Sequence, residues 1–335
     1  MKAIAPGKLI LSGEHSVVYG RPAIAMAIDR SAQAVVAAHP GGLVSFDLAN
    51  YNYLGSFTFR ALEDLKKRVS DNYHQFLDGK LSIRDVLHKP VDLFQYAFVM
   101  LLDGLHVSLE QGMSVTLNSN IPIGCGMGSS AATVLSEVRA LGHYFRVDFM
   151  PEWHYRYSLE AEKLQHGTPS GVDSYMSLYG GCARFQEGQA TQLPLPRWPM
   201  FLVQTGVPST TTGECVAAVK KRFASSMIWD DFGGVTAELE AALARTDYEG
   251  IQRVIRANHG LLVRIGVVSA RVQAFIAEIE RWGAAAKVCG AGAVDGDSSG
   301  IVLVVSREPP VDICRQYGYE IVAVRGEPLG TRLVA

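Results

Sequence analysis

Residues 122–132 read PIGCGMGSSAA. Glycine at 124, 126 and 128 lets a backbone approach a ligand closely. A helix beginning at the paired serines would add unpaired N–H groups and the positive end of its dipole, so phosphate is the ligand this loop suits. It lacks the Gly-Lys-Ser/Thr ending of a Walker loop, and its G-x-G-x-G is not the spacing of a dinucleotide fingerprint. The competing reading is a glycine-rich turn that only caps its helix with serine. Two consecutive serines weigh against it, because one hydroxyl can cap while the other reaches a metal.

Phosphoryl transfer needs positioning, neutralisation of charge by magnesium and modest help in removing a hydroxyl proton. Few residues can supply these. Asp173 follows Ser170-Gly171-Val172 in a turn, where a carboxylate beside an acceptor can take or orient its proton; the alternative is an Asx turn that stabilises its own backbone. Lys8 follows Gly7, and its ammonium would favour negative charge on a nearby oxygen, against the plainer reading of an exposed lysine. Glu162 offers a hard oxygen ligand of the kind magnesium accepts, with a solvated helix face, and Glu160 as a competitor, on the other side. Glu14 and His15 follow the first apolar run and read either as polar contacts for a substrate or as a capped turn with a core histidine. His166 leans towards structure, and Thr210, Thr211 and Thr212 either cap a helix or hold an acceptor.

Stepping outward from these residues, alternating apolar runs predict strands over 2–5, 23–28, 33–38, 43–46 and 113–117. Helical periodicity appears over 61–77, 91–105, 129–145 and 152–165, with Ser129 or Ser130 suited to cap the third. Residues 179–185 read as strand. TQLPLPRWP then places Pro194, Pro196 and Pro199 close together, a linker composition that marks a domain boundary. Beyond it a strand over 200–205, four helical stretches up to 282, strands over 286–289, 300–305 and 320–324, and a short helix over 311–317 describe an α+β unit.

At 335 residues two domains are expected. A net charge of −2 and no dense run of lysine and arginine argue against nucleic acid as a partner. The five scattered cysteines form no C-x-x-C pair and read as reduced thiols of the cytoplasm. The opening apolar stretch is broken by Pro6, Gly7 and Lys8 before a signal-peptide core forms, and no apolar span is long enough to cross a membrane.

PIGCGMGSSAA resembles the phosphate-binding loop of the GHMP kinases, named for galactokinase, homoserine kinase, mevalonate kinase and phosphomevalonate kinase. APGKLILSGEHSVVYGRPAIAMAID (5–29) and EKLQHGTPSGVD (162–173) are similar to the mevalonate kinase branch specifically, and TGVPSTTTGE (205–214) and NHGLLVRIGVVS (258–269) extend the likeness over almost the whole chain. The third superfamily motif departs from its usual form. It reads Lys287-Val-Cys-Gly-Ala-Gly, and AVDGDSSG follows Gly292 where further glycines are usual, which lengthens the loop and adds Asp295 and Asp297.

The resemblance implies a two-domain α+β and α/β GHMP kinase fold, with a ribosomal-protein-S5-domain-2-like N-terminal domain over 1–195 and a ferredoxin-like C-terminal domain over 196–335. It implies ATP as co-substrate, held by Pro122, Gly124, Gly126, Met127, Gly128, Ser129, Ser130 and Ala131. Ser130 and Glu162 would hold Mg²⁺, Asp173 and Lys8 would be catalytic, and Glu14, His15 and Asp173 would meet the substrate. The expected reaction is transfer to the 5-hydroxyl of mevalonate, with phosphomevalonate kinase, a sugar kinase or an inactive small-molecule-binding relative as alternatives. A homodimer is left open. Residues 290–292 are expected still to offer backbone to phosphate.

Overall fold

In the computed structural model, residues 1–147 and 150–334 are described. The first half builds β1 (Lys2–Ser12), β2 (Ala23–His39), β3 (Leu43–Leu48), β4 (Tyr53–Thr58), α1 (Phe59–Leu77), α2 (Asp92–Leu105), β5 (Gly112–Ser119), α3 (Ser129–Tyr144), α4 (Pro151–His166), α5 (Val172–Tyr179), β6 (Cys182–Gln186) and β7 (Gln189–Leu193). The second half builds β8 (Met200–Gln204), α6 (Thr212–Phe223), α7 (Ile228–Arg245), α8 (Tyr248–Arg264), α9 (Ala270–Arg281), β9 (Ala285–Cys289), β10 (Ile301–Val305), α10 (Val311–Tyr317), β11 (Glu320–Val324) and β12 (Arg332–Leu333).

Among the described residues the first sheet has eight strands in the order β12-β1-β2-β5-β3-β4, with β6 added to β2 and β7 to β6. It is antiparallel except for the β3–β5 pair. The second sheet runs β11-β8-β10-β9, all antiparallel. Renumbered from β8 that is 4-1-3-2, the ferredoxin-like order expected. The closing strand β12 returns to pair with β1, so the segment 196–335 does not lie wholly with the second sheet.

Strands 23–28 and 33–38 prove to be one element, β2. Polar Asp29, Arg30 and Ser31 look like a separator, but β1 pairs with residues on both sides of them, and a register shift absorbs the interruption. The first half of β2 pairs with β6 and the second half with β5. A second correction is at 179–185: Tyr179 ends α5 and strand begins only at Cys182, because Gly180 and Gly181, both at positive φ, separate the two.

Each sheet packs an apolar cluster of its own, and a further cluster joins the two. One apolar cluster runs from Leu9, Leu11 and Met26 of the first sheet to Leu202 and Leu303 of the second and on to Leu243 and Ile255 of α7 and α8. Burial of this kind, at about 25 cal/mol per Å² of apolar surface, holds β1 against the second half of the chain. The strand carrying Lys8 is thereby locked between two domains.

Candidate active site

The site begins at a fault in β1. Its pairing with β2 shifts register between Pro6 and Lys8, since proline has no N–H for the ladder and Gly7 tolerates the bend. The Lys8 N–H donates instead to Met127 O at 2.9 Å, and Lys8 Nζ donates to Gly126 O at 2.9 Å. The first strand is thus fastened to the glycine loop at two points. Lys8 is only 3% exposed.

The loop itself joins β5 to α3, as the sequence pattern predicts. Its serines do not cap the helix: Gly128, in left-handed conformation, is the cap residue, and no side-chain cap bond is made. Ser129 and Ser130 lie inside the first turn, where the hydroxyls are spared for other partners. Gly128 is required for a second reason. A Cβ there would sit 3.2 Å from Lys8 Cγ and 3.4 Å from Asp173 Oδ2, so the loop passes directly over the two side chains.

Asp173 arrives from the other direction. Gly167 ends α4, Gly171 at φ 79° begins α5, and the short link between them places Asp173 in the first turn of α5. Its Oδ1 lies 3.0 Å from Lys8 Nζ. The carboxylate is therefore engaged by an ammonium from a distant strand and is not spent on an Asx turn. Local residue types predict a turn at Asp173, but the structure places it in α5, whose eight residues are too few to show a clear period.

Glu162 lies on the buried face of α4, 3% exposed. Ser174 Oγ donates to its Oε2 at 3.1 Å, and Ser158 and Ser174 hydroxyls meet at 2.6 Å. Burial, and then the neighbouring Asp173 charge, push the Glu162 carboxyl well above the ordinary carboxylate range, only partly offset by Ser174 and Lys8. A buried carboxylate that receives one hydroxyl and has no ion pair among the described residues suits a cation. Glu160, the competitor, is paired with Lys163 at the surface. His166 closes α4 and is exposed.

Glu14 and His15 follow β1. Glu14 is 1% exposed, ion-paired with the fully buried Lys287, and accepts from Asn258 Nδ2 at 3.1 Å. His15 takes a left-handed φ of 60°, and its Nε2 meets Ala291 O at 2.9 Å, while Nδ1 has no hydrogen-bond partner. Burial holds the His15 imidazole below its ordinary value. Of the three threonines, Thr211 caps α6 in a capping box with Glu214, and Thr210 Oγ1 is buried without a partner. The third-motif loop meets the phosphate loop backbone to backbone: a Cβ on Gly126 would lie 3.2 Å from Gly290 Cα.

Sequence reasoning missed one feature. A cavity beside the start of α3 is lined by Tyr51, Phe94, Leu117, Asn118, Ile123 and Ser129. Its aromatic walls come from segments far apart in the chain, and no motif marks them.

A mevalonate kinase of Thermococcus sibiricus is 30% identical over 304 residues, covering 87% of this chain and 86% of the relative. The chain belongs to the mevalonate kinase family. The GHMP kinases N terminal domain family matches residues 92–181, a span from α2 to α5 that contains the glycine loop, Glu162 and Asp173. Among solved structures, Methanococcus jannaschii mevalonate kinase superposes with a TM-score of 0.81 at 22% identity, covering 98% of both chains. Leishmania major mevalonate kinase in complex with R-mevalonate gives 0.70 at 21% identity, covering 98% of this chain and 97% of the other. The fold is that of the GHMP kinases, and as a family member the chain is an ATP-dependent kinase.

Proposed function

We propose that this chain transfers the γ-phosphoryl group of ATP to the 5-hydroxyl of mevalonate, giving ADP and 5-phosphomevalonate in the cytoplasm. The observation that carries the reading is the Lys8–Asp173 contact at 3.0 Å directly beneath the glycine loop, where a hydroxyl and a γ-phosphate can be brought together. The relatives named mevalonate kinase, and the related structure in complex with R-mevalonate, support mevalonate as the acceptor.

In this reading the amides of the glycine loop and of the first turn of α3 hold the phosphates. Asp173 accepts the proton of the acceptor hydroxyl, whose oxygen bonds to the γ-phosphorus as the bond to the ADP oxygen breaks. Lys8 stabilises charge on the oxygens in flight. Ser130 and Glu162 would hold Mg²⁺, which when bound neutralises charge on the β- and γ-phosphates. The buried Glu162 carboxylate and the uncommitted Ser130 hydroxyl fit that ion.

ADP release coupled to ³¹P NMR tests the reaction, with a new phosphomonoester coupled to the C5 methylene as the expected product. ADP formed at the same rate without mevalonate would refute it. Ser130→Ala and Glu162→Gln are expected each to weaken Mn²⁺ binding to the enzyme–nucleotide complex, read by electron paramagnetic resonance, and to raise the magnesium requirement. Parental titrations in both variants would remove the two residues from the metal. Lys8→Met is expected to lower kcat by about 10²–10³. A folded Lys8→Met enzyme within about threefold of the parental kcat would separate Lys8 from the reacting oxygens.

A further inference from the structure

The interface between the two halves contains a buried polar cluster that the phosphoryl-transfer reading does not use. Lys287 on β9 is 0% exposed and ion-paired with Glu14. Lys287 Nζ also donates to Ile10 O at 3.1 Å, at the second register shift of β1, between Ile10 and Ser12. A bulge takes a carbonyl out of the ladder, and the ammonium satisfies it. The other Glu14 oxygen accepts from Asn258 of α8, Asn258 Oδ1 accepts from Ser12 Oγ at 3.1 Å, and Ser12 Oγ meets Thr236 Oγ1 of α7 at 2.8 Å. Ser12, Thr236 and Asn258 are all fully buried.

A buried ion pair is a poor source of stability, because desolvation offsets its attraction, and well-packed apolar residues often serve as well. What such a pair does supply is register. Here two links join the same two segments: Glu14 to Lys287, and His15 to Ala291. Between them lies Gly290, packed on Gly126 of the phosphate loop. The His15 backbone is held at an unfavourable positive φ, which persists only where the surroundings over-determine it. Residues 14–15, the third-motif loop and the phosphate loop are thus set at a common spacing by a pair of charges buried between domains.

We propose that Glu14 and Lys287 are positioning residues for the acceptor: Glu14 acts through Lys287 and Asn258, across the domain interface, to place His15 and the third-motif loop, and does not itself touch the acceptor. This rests on the phosphoryl-transfer reading and replaces the direct substrate contact expected of Glu14 from the family resemblance.

The test is a double-mutant cycle of Glu14→Gln, Lys287→Met and the pair together, followed by melting temperature, acceptor KM, and affinity for a non-hydrolysable ATP analogue with Mg²⁺. Each single variant is expected to melt several degrees lower, since it strands a buried polar partner, and the double variant to recover much of the loss. Acceptor KM is expected to rise about tenfold or more in all three, by similar factors, with nucleotide affinity within about threefold of the parent. Three results would each overturn the proposal: a Lys287→Met enzyme with the parental acceptor KM, a far larger rise for Glu14→Gln than for Lys287→Met, which is the mark of direct contact, or a double variant that regains KM together with melting temperature, which is the mark of a purely structural pair. Should the single variants not fold, Asn258→Leu reads the same cluster without stranding a charge, and is expected to raise acceptor KM while leaving nucleotide affinity unchanged; a parental KM there also overturns it. Failure of the parent to phosphorylate mevalonate at all would be a failure of the reaction assignment, seen before any variant is made.

Discussion

Asp173→Asn is expected to lower kcat by about 10²–10⁴, the range of general-base help. At about 1.4 kcal/mol per tenfold this is roughly 3–5 kcal/mol of barrier. The substitution keeps the shape of the side chain while removing both its negative charge and its capacity to accept a proton. Asp173 is 28% exposed in the first turn of α5 while its partner Lys8 is buried, so the substitution removes the counter-charge of the ammonium. The asparagine carbonyl and Gly126 O remain as acceptors for the Lys8 ammonium. The variant should therefore fold and bind the ATP analogue as the parent does, with the loss confined to turnover. An Asp173→Asn enzyme, folded and nucleotide-competent, with kcat within about threefold of the parent would end the assignment of Asp173 as base.

Against a panel of galactose, homoserine and phosphomevalonate, mevalonate is expected to lead in kcat/KM by about 10⁴. Discrimination of that size arises where buried polar groups go unpaired with the wrong ligand. Two polar atoms in this part of the chain are buried without a partner. His15 Nδ1 has no protein partner, and its ring is fixed by Nε2 on Ala291 O. Thr210 Oγ1, also without one, precedes the α6 cap, and Cys215 one turn into α6 contacts the same Ala291 O. A carboxylate or hydroxyl of the acceptor is expected to satisfy His15 Nδ1. Phosphomevalonate brings a phosphate of its own, which calls for added cationic side chains, and the buried Lys287 is already committed to Glu14. Faster turnover of any of the other three acceptors at equal concentration would keep the superfamily and discard mevalonate.

Much of the site was legible in order along the chain. The glycine loop and its position between strand and helix follow from residue types and local spacing, while Lys8, Glu162 and Asp173 are singled out by the resemblance to the GHMP kinases. The helices α1, α2 and α4 follow from long apolar periods, within a residue or two at each end. The serine cap of α3 did not follow, because a glycine in left-handed conformation took that place and left both serine hydroxyls out of the cap. The division of β2 into two strands did not hold either, since pairing across a register shift can carry a strand past polar residues that in isolation would end it.

The sequence by itself determined that this chain has a glycine-rich loop between a strand and a helix and motifs that resemble those of the GHMP kinases, because glycine at positive φ and short charged motifs are requirements that nearby residues express. Only the tertiary structure decided which partners those groups meet. Lys8 reaches Asp173 because Pro6 and Gly7 break the β1 ladder and α5 starts at Gly171; Glu162 is held by Ser158 and Ser174 because α4 and α5 pack together; Glu14 is sealed against Lys287 because β9 lies on β1. Contacts of this range depend on where apolar surfaces come to rest against each other, and a local pattern of residues does not encode that.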